Sequence, residues 1–576
     1  MHVVATAGHV DHGKSTLVRA LTSIDPDRLI EEKERGLTID LGFAWTSLPS
    51  GRGISFIDVP GHVRFIKNML AGVGAVDACL FVVAATEGWK PQSEEHLRIL
   101  EILGMKHGVV ALTQASIVDA DLAELAHLDV SEHLEGTFLE DAPIIAVDSI
   151  DGTGIPDLLD ALDELTATVP TSADLKRPRM WIDRVFAAKG AGTIVTGTLT
   201  GGMIRVDDEL RVEPGGHTVR VRGLQSQGKE RTKVGPGNRL AINLTGVDRS
   251  ELTRGQVVVR AGQWFSTNHV DADLRVLDRL DHEVSRRGAY AMYLGSGEFP
   301  VRLRVLGGAA LLPGDTGFVR MYLEQALPLL PGDNFVLREF GRQETIGGGQ
   351  ILDLDPRARA ATAVPDRSVD RVIGERGWID AHQLELLTGE KRIPNVGSWV
   401  VDPVVLQEHL TATHQIIVDA GDKGVDTALF DDRQRAVLDQ FDDILVEAGT
   451  VRVRGTVDVF ADHPFVAAID ASPFAPPEPD DIPVAELRGL VQRGHLLQLD
   501  GRYFTPAAID AAAHELATML AHQPAGVTVS EVREHLGNTR KHALVGPARL
   551  NRGDQATGRR TSSRSTTSIA RLVGTR

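Results

Sequence analysis

The sequence contains a single cysteine, no long hydrophobic run and no excess of basic residues. Because one cysteine cannot form an internal disulfide, this usage fits the reducing cytosol, and we expect a cytoplasmic protein. No apolar run approaches the ~20 residues that span a bilayer, and no signal peptide is visible. The formal net charge of -18 speaks against a wholly basic nucleic-acid binder, although local basic faces are still compatible with it.

Size and composition indicate several globular domains. At 576 residues the chain is too long for one hydrophobic core, and 42% hydrophobic with 24% charged residues is typical of folded proteins. The single cysteine, Cys79, lies in the apolar stretch 78–83, which predicts a buried core residue rather than a nucleophile.

A phosphate-binding loop follows the first apolar run of the chain. Residues 8–15 read Gly-His-Val-Asp-His-Gly-Lys-Ser, between a predicted strand and a predicted helix. In this pattern backbone N–H groups cradle phosphate oxygens, the lysine reaches the β- and γ-phosphates, and the serine hydroxyl binds Mg²⁺. The predicted nucleotide-binding residues are Gly8, His9, Val10, Asp11, His12, Gly13, Lys14, Ser15 and Thr16. A Zn²⁺-type site formed by His9, Asp11 and His12 is the alternative, although such ligands would compete with the phosphate.

The N-terminal part of the chain alternates predicted strands and helices. Its predicted strands cover residues 54–58, 77–85, 108–112 and 143–147, and its predicted helices cover 93–103 and 155–165. This alternation favours a doubly wound α/β sheet with the ligand at the carboxyl ends of the strands. Asp58, at the end of a strand, is placed to hold Mg²⁺ through water, and Gly61 lets a backbone N–H approach the γ-phosphate.

These motifs, with Arg-Gly-Leu-Thr-Ile at 35–39 and Asp-Val-Pro-Gly-His at 58–62, resemble the GTPase domain of elongation factor Tu and its translational relatives. The resemblance implies GTP and Mg²⁺ as cofactors, and the Mg²⁺ ligands that it implies are Ser15, Thr38 and Asp58. It also implies that His62 positions the attacking water once the ribosome docks, behind an apolar gate formed by Val10 and Leu37.

The stretches that read the guanine base depart from the family pattern. Residues 113–116 are Thr-Gln-Ala-Ser where the family has Asn/Thr-Lys-x-Asp, so Ser116 replaces a carboxylate that accepts two hydrogen bonds from guanine. Residues 148–150 are Asp-Ser-Ile where the family has Ser-Ala or Ser-Ser, and Asp148 would repel the guanine O6. Because a charge-assisted hydrogen bond contributes about 1.5–3 kcal/mol, we expect weakened or altered base recognition. The base-contacting positions are Thr113, Gln114, Ser116, Asp148, Ser149 and Ile150.

Beyond the N-terminal domain the pattern changes to short β-runs separated by Gly and Pro. This change predicts two β-barrel domains, at residues 173–260 and 261–355. Phrases such as Ile-Asp-Arg-Val-Phe at 182–186 and Asn-Arg-Leu-Ala-Ile at 238–242 resemble the selenocysteine-specific elongation factors rather than elongation factor Tu itself.

The second resemblance implies an aminoacyl pocket in the first barrel. Its implied lining residues are Asp183, Arg184 and Arg239. A selenol is more acidic than a thiol, so two fixed positive charges would select the selenolate over serine or cysteine. The alternative is that these are exposed arginines paired with carboxylates, as on many protein surfaces.

The C-terminal third predicts a linker at 356–366 and helix–helix–hairpin units typical of tandem winged helices. In order, these units cover residues 367–413, 414–474, 475–523 and 524–576. The resemblance implies that the last unit binds an mRNA hairpin, with Arg533, Arg540 and Lys541 meeting RNA phosphates. After residue 544 the chain is Ser/Thr/Arg-rich with little to bury, which predicts disorder and places hairpin binding in doubt. One hypothesis for this segment is a shifted reading frame or another degraded terminus, and the alternative is a functional basic tail.

The predicted fold is thus multidomain, with an α/β P-loop GTPase domain over residues 1–172, two β-barrels and C-terminal winged helices. The implied function is a monomeric GTPase that carries selenocysteyl-tRNA to the ribosome at a recoded UGA codon, guided by an mRNA hairpin and without membrane contact. A degraded, non-catalytic RNA-binding copy is one alternative, favoured by Ser116 and Asp148. A general elongation factor for ordinary aminoacyl-tRNAs is another, opposed by Arg184 and Arg239.

Overall fold

The computed structural model divides into two compact units, the first ending at Ile393 and the second beginning at Pro394. The residues that it describes are 2–27, 31–32, 38–62, 65–74, 76–188, 192–447, 449–455, 460–499, 501–523 and 527–537. Within these ranges, no helix is long and apolar enough to cross a membrane.

A six-stranded sheet forms the centre of the N-terminal domain. Its strands, in chain order, are His2–Ala7, Gly42–Ser47, Gly53–Asp58, Ala78–Ala84, Gly108–Thr113 and Ile144–Ala146. In the sheet they lie in the order second, third, first, fourth, fifth and sixth, and all neighbours are parallel except the second and third. Side chains alternate between faces along a strand, and Val3 and Val4 accordingly enter two separate apolar clusters. Both faces of the sheet are therefore buried, which confirms the predicted doubly wound domain.

The helices around this sheet are Lys14–Thr22, Ile66–Val73, Pro91–Ile102, Ala120–Leu134 and Ile155–Thr168. Sequence reasoning did not identify Ala120–Leu134, because three of its leucines, Leu122, Leu125 and Leu128, are exposed and blur the helical periodicity. Cys79 is fully buried in the central strand, as predicted, and burial raises the pKa of its thiol.

Two closed β-barrels follow, as predicted. Around the first barrel the paired strands are Arg179–Trp181, Gly192–Thr200, Asn238–Thr245, His217–Ser226, Glu209–Glu213 and Val257–Val259. Two shorter strands, Arg184–Ala188 and Lys229–Arg231, pair with barrel strands, whereas Ile204–Arg205 and Lys233–Val234 pair with each other. Around the second barrel the strands are Phe265–Val276, Thr316–Leu329, Gly297–Val305, Tyr290–Leu294, Asn334–Glu339 and Glu344–Asp353, with Val284–Ser285 and Ala310–Leu311 paired beside it.

The segment predicted as a linker packs against the second barrel. Ala360 and Ala363 are buried in a small apolar cluster with Leu306 of the barrel. The guanidinium of Arg320 also donates a hydrogen bond to the carbonyl of Ala358, over 3.0 Å. The structure then continues with the helix Val369–Arg376, the strand Trp378–Asp380 and the helix Ala381–Thr388.

The second unit repeats a helix–helix–hairpin order that is consistent with winged helices. Its helices are Pro403–Asp419, Asp432–Val437, Pro464–Ala471, Val484–Gln492, Pro506–His522 and Val529–His535. Its strands are Trp399–Val401, Val425–Asp426, Ile444–Glu447, Thr450–Val453, Leu497–Leu499 and Arg502–Phe504. Each hairpin packs into its own apolar cluster, around Ile444 and Val451 in one repeat and around Leu496 in the next. The segment after residue 537, including the predicted recognition helix, lies outside the described residues.

The second barrel should depend on a buried ion pair. Arg320 donates two hydrogen bonds to Asp271, over 2.6 and 2.8 Å, and both side chains are at most 10% exposed. In Arg320→Ala the carboxylate stays buried without its partner, so we expect a loss of about 3–5 kcal/mol of stability. Hydrogen exchange of the amides in Thr316–Leu329 measures this loss. The exposed pair of Arg220 and Asp207 provides the control, because Arg220→Ala should cost under about 1 kcal/mol. Equal losses in the two variants would contradict this prediction.

Candidate functional site

The loop between the first strand and the first helix has the backbone of a phosphate cradle. The backbone is left-handed at Asp11 and Gly13, with φ of 63° and 80°. Residues other than glycine rarely adopt this left-handed backbone conformation. In such a loop the conformation turns successive backbone N–H groups toward the same side, where they can bind a phosphate. The helix Lys14–Thr22 begins directly after Gly13, so its N-terminus faces the same space.

Lys14 is buried beneath this loop. Its ammonium donates hydrogen bonds to the carbonyls of Gly8 and His9, over 3.1 and 2.6 Å. Burial lowers the pKa of Lys14 to about 8, against the opposing charge of Asp58. A β-carbon at Gly61 would lie 2.6 Å from the backbone N of Val10 in this loop, so a larger residue does not fit there without a shift of the backbone.

Three oxygen-bearing side chains meet beside Lys14. The Ser15 hydroxyl donates a hydrogen bond to Asp58 Oδ2 over 2.6 Å and lies 2.6 Å from the hydroxyl oxygen of Thr38. The other carboxylate oxygen of Asp58 accepts the hydroxyl of Thr6 over 2.8 Å. Hard oxygen donors of this kind suit Mg²⁺, so the residues fit the ion that the sequence predicts.

Asp27 joins this cluster, and sequence reasoning missed it. Thr38 donates its hydroxyl to Asp27 Oδ1 over 3.1 Å. Burial, followed by the nearby charge of Asp58, raises the pKa of Asp27 to about 6. No local sequence pattern identifies Asp27, because its place in the cluster depends on the contact with Thr38, which forms only in the folded chain.

The alternative metal site at His9, Asp11 and His12 is not supported. Among the described residues, no three His, Cys, Asp or Glu side chains are grouped to hold a metal ion. His12 is instead buried with its ring 5.0 Å from that of His9, and burial lowers the pKa of His12 to about 4.

The helix Pro91–Ile102 supports the phosphate-binding loop from behind. The Nδ1 atom of His96 accepts the backbone N–H of Gly8 over 3.0 Å, and Gln92 accepts that of Val10 over 3.3 Å. Neither residue was predicted, although the spacing of four places both on one helix face.

The predicted base-contacting residues also adjoin the loop. Thr113 donates its hydroxyl to the carbonyl of His12 over 2.7 Å, and Gln114 donates its amide to that of Asp11 over 3.3 Å. Ser116 donates its hydroxyl to Asp148 Oδ2. Ser149 and Ile150, the last two predicted base-contacting residues, directly follow Asp148, and Ile150 is 87% exposed. The structure therefore gathers both departures from the family pattern at one edge.

His62 follows Gly61 and is half-buried, with its ring 5.9 Å from that of Phe65. Its role in positioning water stays a prediction. Of the predicted apolar gate, Val10 has its backbone N beside Gly61, whereas Leu37 lies outside the described residues, and the gate stays a prediction.

The three predicted pocket residues come together at the junction of the first barrel and the GTPase domain. Arg239 donates hydrogen bonds to both carboxylate oxygens of Asp183, which also accepts the Thr196 hydroxyl over 2.6 Å. Burial opposes ionisation of Asp183, but Arg239 outweighs it, and the pKa of this carboxyl is lowered. Arg184 and Arg239 both stack on the ring of Phe43, with guanidinium carbons 4.6 and 3.3 Å from its centroid. They line a cavity of about 190 Å³.

These arginines are paired with carboxylates, as the alternative interpretation proposed, but they are not exposed. Their side chains are 23% and 12% exposed for Arg184 and Arg239. Arg184 reaches into the GTPase domain, where it contacts Asp40 over 3.2 Å and the carbonyl of Leu41. Arg254 bonds the same domain through Asn68, over 2.9 Å. The cavity is therefore built by two domains.

Of the predicted RNA-binding residues, Arg533 lies in the helix Val529–His535 and is half-buried. Thr528 and Glu531 form the capping box that begins this helix. Arg540 and Lys541 lie outside the described residues.

Two regions of the chain match known protein families. Residues 1–168 match the elongation factor Tu GTP binding domain, and residues 275–358 match the β-barrel domain of the selenocysteine-specific elongation factor. Elongation factor Tu 2 of Streptomyces avermitilis is 31% identical over 386 residues, which cover 61% of this chain and 96% of that protein. The chain therefore belongs to the elongation factor Tu family of translational GTPases.

Several proteins similar to this chain carry the name selenocysteine-specific elongation factor. The factor of that name from Desulfomicrobium baculatum is 40% identical over 351 residues, which cover 61% of this chain. The matched region spans only 55% of the length of that relative. The crystal structure of a bacterial selenocysteine-specific elongation factor EF-Sec matches with a TM-score of 0.74 and 26% identity, over 96% of this chain and 97% of the other.

Acid should destabilise the GTPase domain through its buried histidines. Burial lowers the pKa of His96 to about 3 and that of His12 to about 4, from a usual value of 6.5. Since the unfolded chain then binds more protons, stability is full above pH 6.5 and falls as the pH drops below it. Each histidine contributes up to about 1.4 kcal/mol per pH unit. Urea unfolding between pH 7 and 5 should show a shallower pH dependence for His96→Asn. The exposed His127→Asn should keep the original dependence, and a steep dependence in both variants would contradict the prediction.

Asp40 should hold the first barrel against the GTPase domain. It contacts Arg184 and Arg254, over 3.2 and 3.5 Å. Asp40→Asn leaves these partly buried cations without their carboxylate, so we expect a loss of about 1–3 kcal/mol, seen as faster hydrogen exchange in Arg184–Ala188. The matched control is Glu298→Gln, which removes an exposed contact of Lys67 with the other barrel. Unchanged exchange in Asp40→Asn would refute this role.

Proposed function

We propose that the chain is a GTPase that binds selenocysteyl-tRNA and delivers it to the ribosome at a recoded UGA codon. The observation that carries the proposal is a pair of partly buried arginines in a cavity between the first barrel and the GTPase domain. The family relationship supports the GTPase chemistry, and the two arginines support binding of the aminoacyl group.

In the proposed reaction this chain's residues position GTP and its water. The N–H groups of residues 8–15 and the Lys14 ammonium bind the phosphates, and Mg²⁺ held by Ser15, Thr38 and Asp58 would neutralise their charge. His62 orients the attacking water once the ribosome docks. Loss of the γ-phosphate releases Thr38, which is the switching step of such GTPases.

The aminoacyl end of the tRNA enters the cavity under Arg184 and Arg239. Both guanidinium groups already have carboxylate partners, Asp40 and Asp183. A selenolate adds an anion to this arrangement, and the flat guanidinium faces stacked on Phe43 stay fixed to receive it. A neutral serine hydroxyl gains much less from the same charges. This difference favours the selenocysteine factor over a general elongation factor.

The C-terminal winged helices are proposed to contact the mRNA hairpin, with Arg533, Arg540 and Lys541 on the RNA phosphates. Support comes from the solved bacterial factor, which matches the chain over 96% of its length. We place this activity in the cytoplasm and expect a monomer.

Protection of the aminoacyl ester from hydrolysis tests the proposal. With a GTP analogue bound, the chain should protect selenocysteyl-tRNA at least about tenfold better than seryl-tRNA. Arg239→Gln should abolish this preference, because it removes the charge next to the selenolate, whereas the exposed Arg302→Gln should retain it. Equal protection of both tRNAs by the unchanged chain would instead indicate a general elongation factor.

Ribosome-stimulated GTP hydrolysis provides the second measurement. His62→Ala should slow the stimulated rate by a hundredfold or more while GTP still binds, because only the positioning of water is lost. A chain that binds GTP but is not stimulated by ribosomes would support the degraded, non-catalytic alternative.

A further inference from the structure

Ser116 and Asp148, the two residues that depart from the family pattern for guanine recognition, contact each other. The family pattern has a carboxylate at the position of Ser116 and a serine at the position of Asp148, so this chain carries the same two side chains exchanged. Although 32 residues apart in sequence, they are joined by a hydrogen bond from the Ser116 hydroxyl to Asp148 Oδ2. An exchange between two residues in direct contact keeps one carboxylate and one hydroxyl at this edge.

We propose that Asp148 is the carboxylate that reads the guanine base, and that Ser116 is its positioning residue. The inference rests on the proposed function, since it names the base that the nucleotide site selects. It replaces the expectation, drawn from the sequence, that Asp148 repels guanine and that base recognition is weakened or altered.

The hydrogen-bonding capacity of Asp148 fits this role. An ionised carboxylate can accept about four hydrogen bonds. Within the protein, Oδ2 accepts the Ser116 hydroxyl and Oδ1 accepts the N–H of Ile150 over 2.8 Å. The remaining acceptor capacity of the carboxylate is available to the N1–H and the 2-amino group of guanine. Hydrogen bonds from Ser116, from the backbone of Ile150 and more weakly from the backbone of Asp151 lower the pKa of Asp148 and keep it ionised.

The position of the pair relative to the phosphate loop is fixed. Gln114 lies two residues before Ser116, and its side-chain amide donates a hydrogen bond to the carbonyl of Asp11. The hydroxyl of Thr113 donates a hydrogen bond to the carbonyl of His12. Asp148 itself is 4% exposed, yet it lies just beneath the surface between the exposed Ser116 and Ile150. A base that lies along this edge would meet the carboxylate while its phosphates occupy the loop.

The carboxylate would separate the purine bases by their donors. Guanine offers two N–H groups at this edge, hypoxanthine offers one, and xanthine places a carbonyl oxygen where guanine has its amino group. Adenine presents a lone pair at N1, which an anion repels. An asparagine at position 148 could donate to the xanthine carbonyl and still accept the N1–H, so Asp148→Asn should turn the preference toward xanthine.

Nucleotide binding by the full chain tests the proposal, with GDP, XDP and ADP measured by titration calorimetry. The unchanged chain should bind GDP and reject XDP and ADP. Asp148→Ser should weaken GDP binding about 100-fold, since two charge-assisted hydrogen bonds are lost. The double variant Ser116→Asp with Asp148→Ser should recover to within about tenfold of the unchanged chain. The control Asp151→Ser removes an exposed carboxylate three residues away and should bind GDP normally.

Each other outcome is decisive. Normal GDP binding by Asp148→Ser, or failure of a folded double variant to recover, would overturn the assignment while the proposed GTPase stands. The near-isosteric Asp148→Asn covers the case in which Asp148→Ser fails to fold, and an unchanged preference for GDP in it would also overturn the assignment. Binding of none of the three nucleotides by the unchanged chain would overturn both this inference and the proposed function.

Discussion

The buried carboxylate of Asp58 is the group on which the nucleotide site depends. It is completely shielded from water, and a buried anion is costly unless hydrogen bonds and opposite charge compensate it. Thr6 and Ser15 each donate a hydroxyl to it, and the Lys14 ammonium lies nearby. These contacts join the first strand, the third strand and the first helix. The same atoms that stabilise the carboxylate thus assemble the oxygen ligands proposed for Mg²⁺.

Two elements carry the state of this site outward to the barrels. The stretch from Thr38 to Leu41 contacts Ser15 at one end and Arg184 of the first barrel at the other. Because one short stretch makes both contacts, we expect a movement of Thr38 to disturb the Asp40–Arg184 contact two residues later. This coupling would make the proposed aminoacyl cavity differ between the GTP and GDP states.

The helix Pro91–Ile102 makes the second connection. Its His96 supports the backbone of Gly8, while Glu95, one residue earlier, bonds Arg338 and Thr345 of the second barrel over 3.3 and 3.1 Å. Adjacent residues on a helix point in different directions, so one rigid helix contacts the phosphate loop and the barrel at once. Each barrel is thereby linked to the nucleotide site by its own element.

The sequence by itself determined the phosphate loop, the buried strand around Cys79 and the presence of two barrels. These features follow from contiguous motifs and local periodicity, which can be read without a fold. Only the tertiary structure decided the parts played by Asp27, His96 and Asp40, and the pairing of Ser116 with Asp148. His96 and Gly8 are 88 residues apart, and Arg184 and Asp40 are 144 apart. Such contacts arise from chain topology, and no local pattern encodes them.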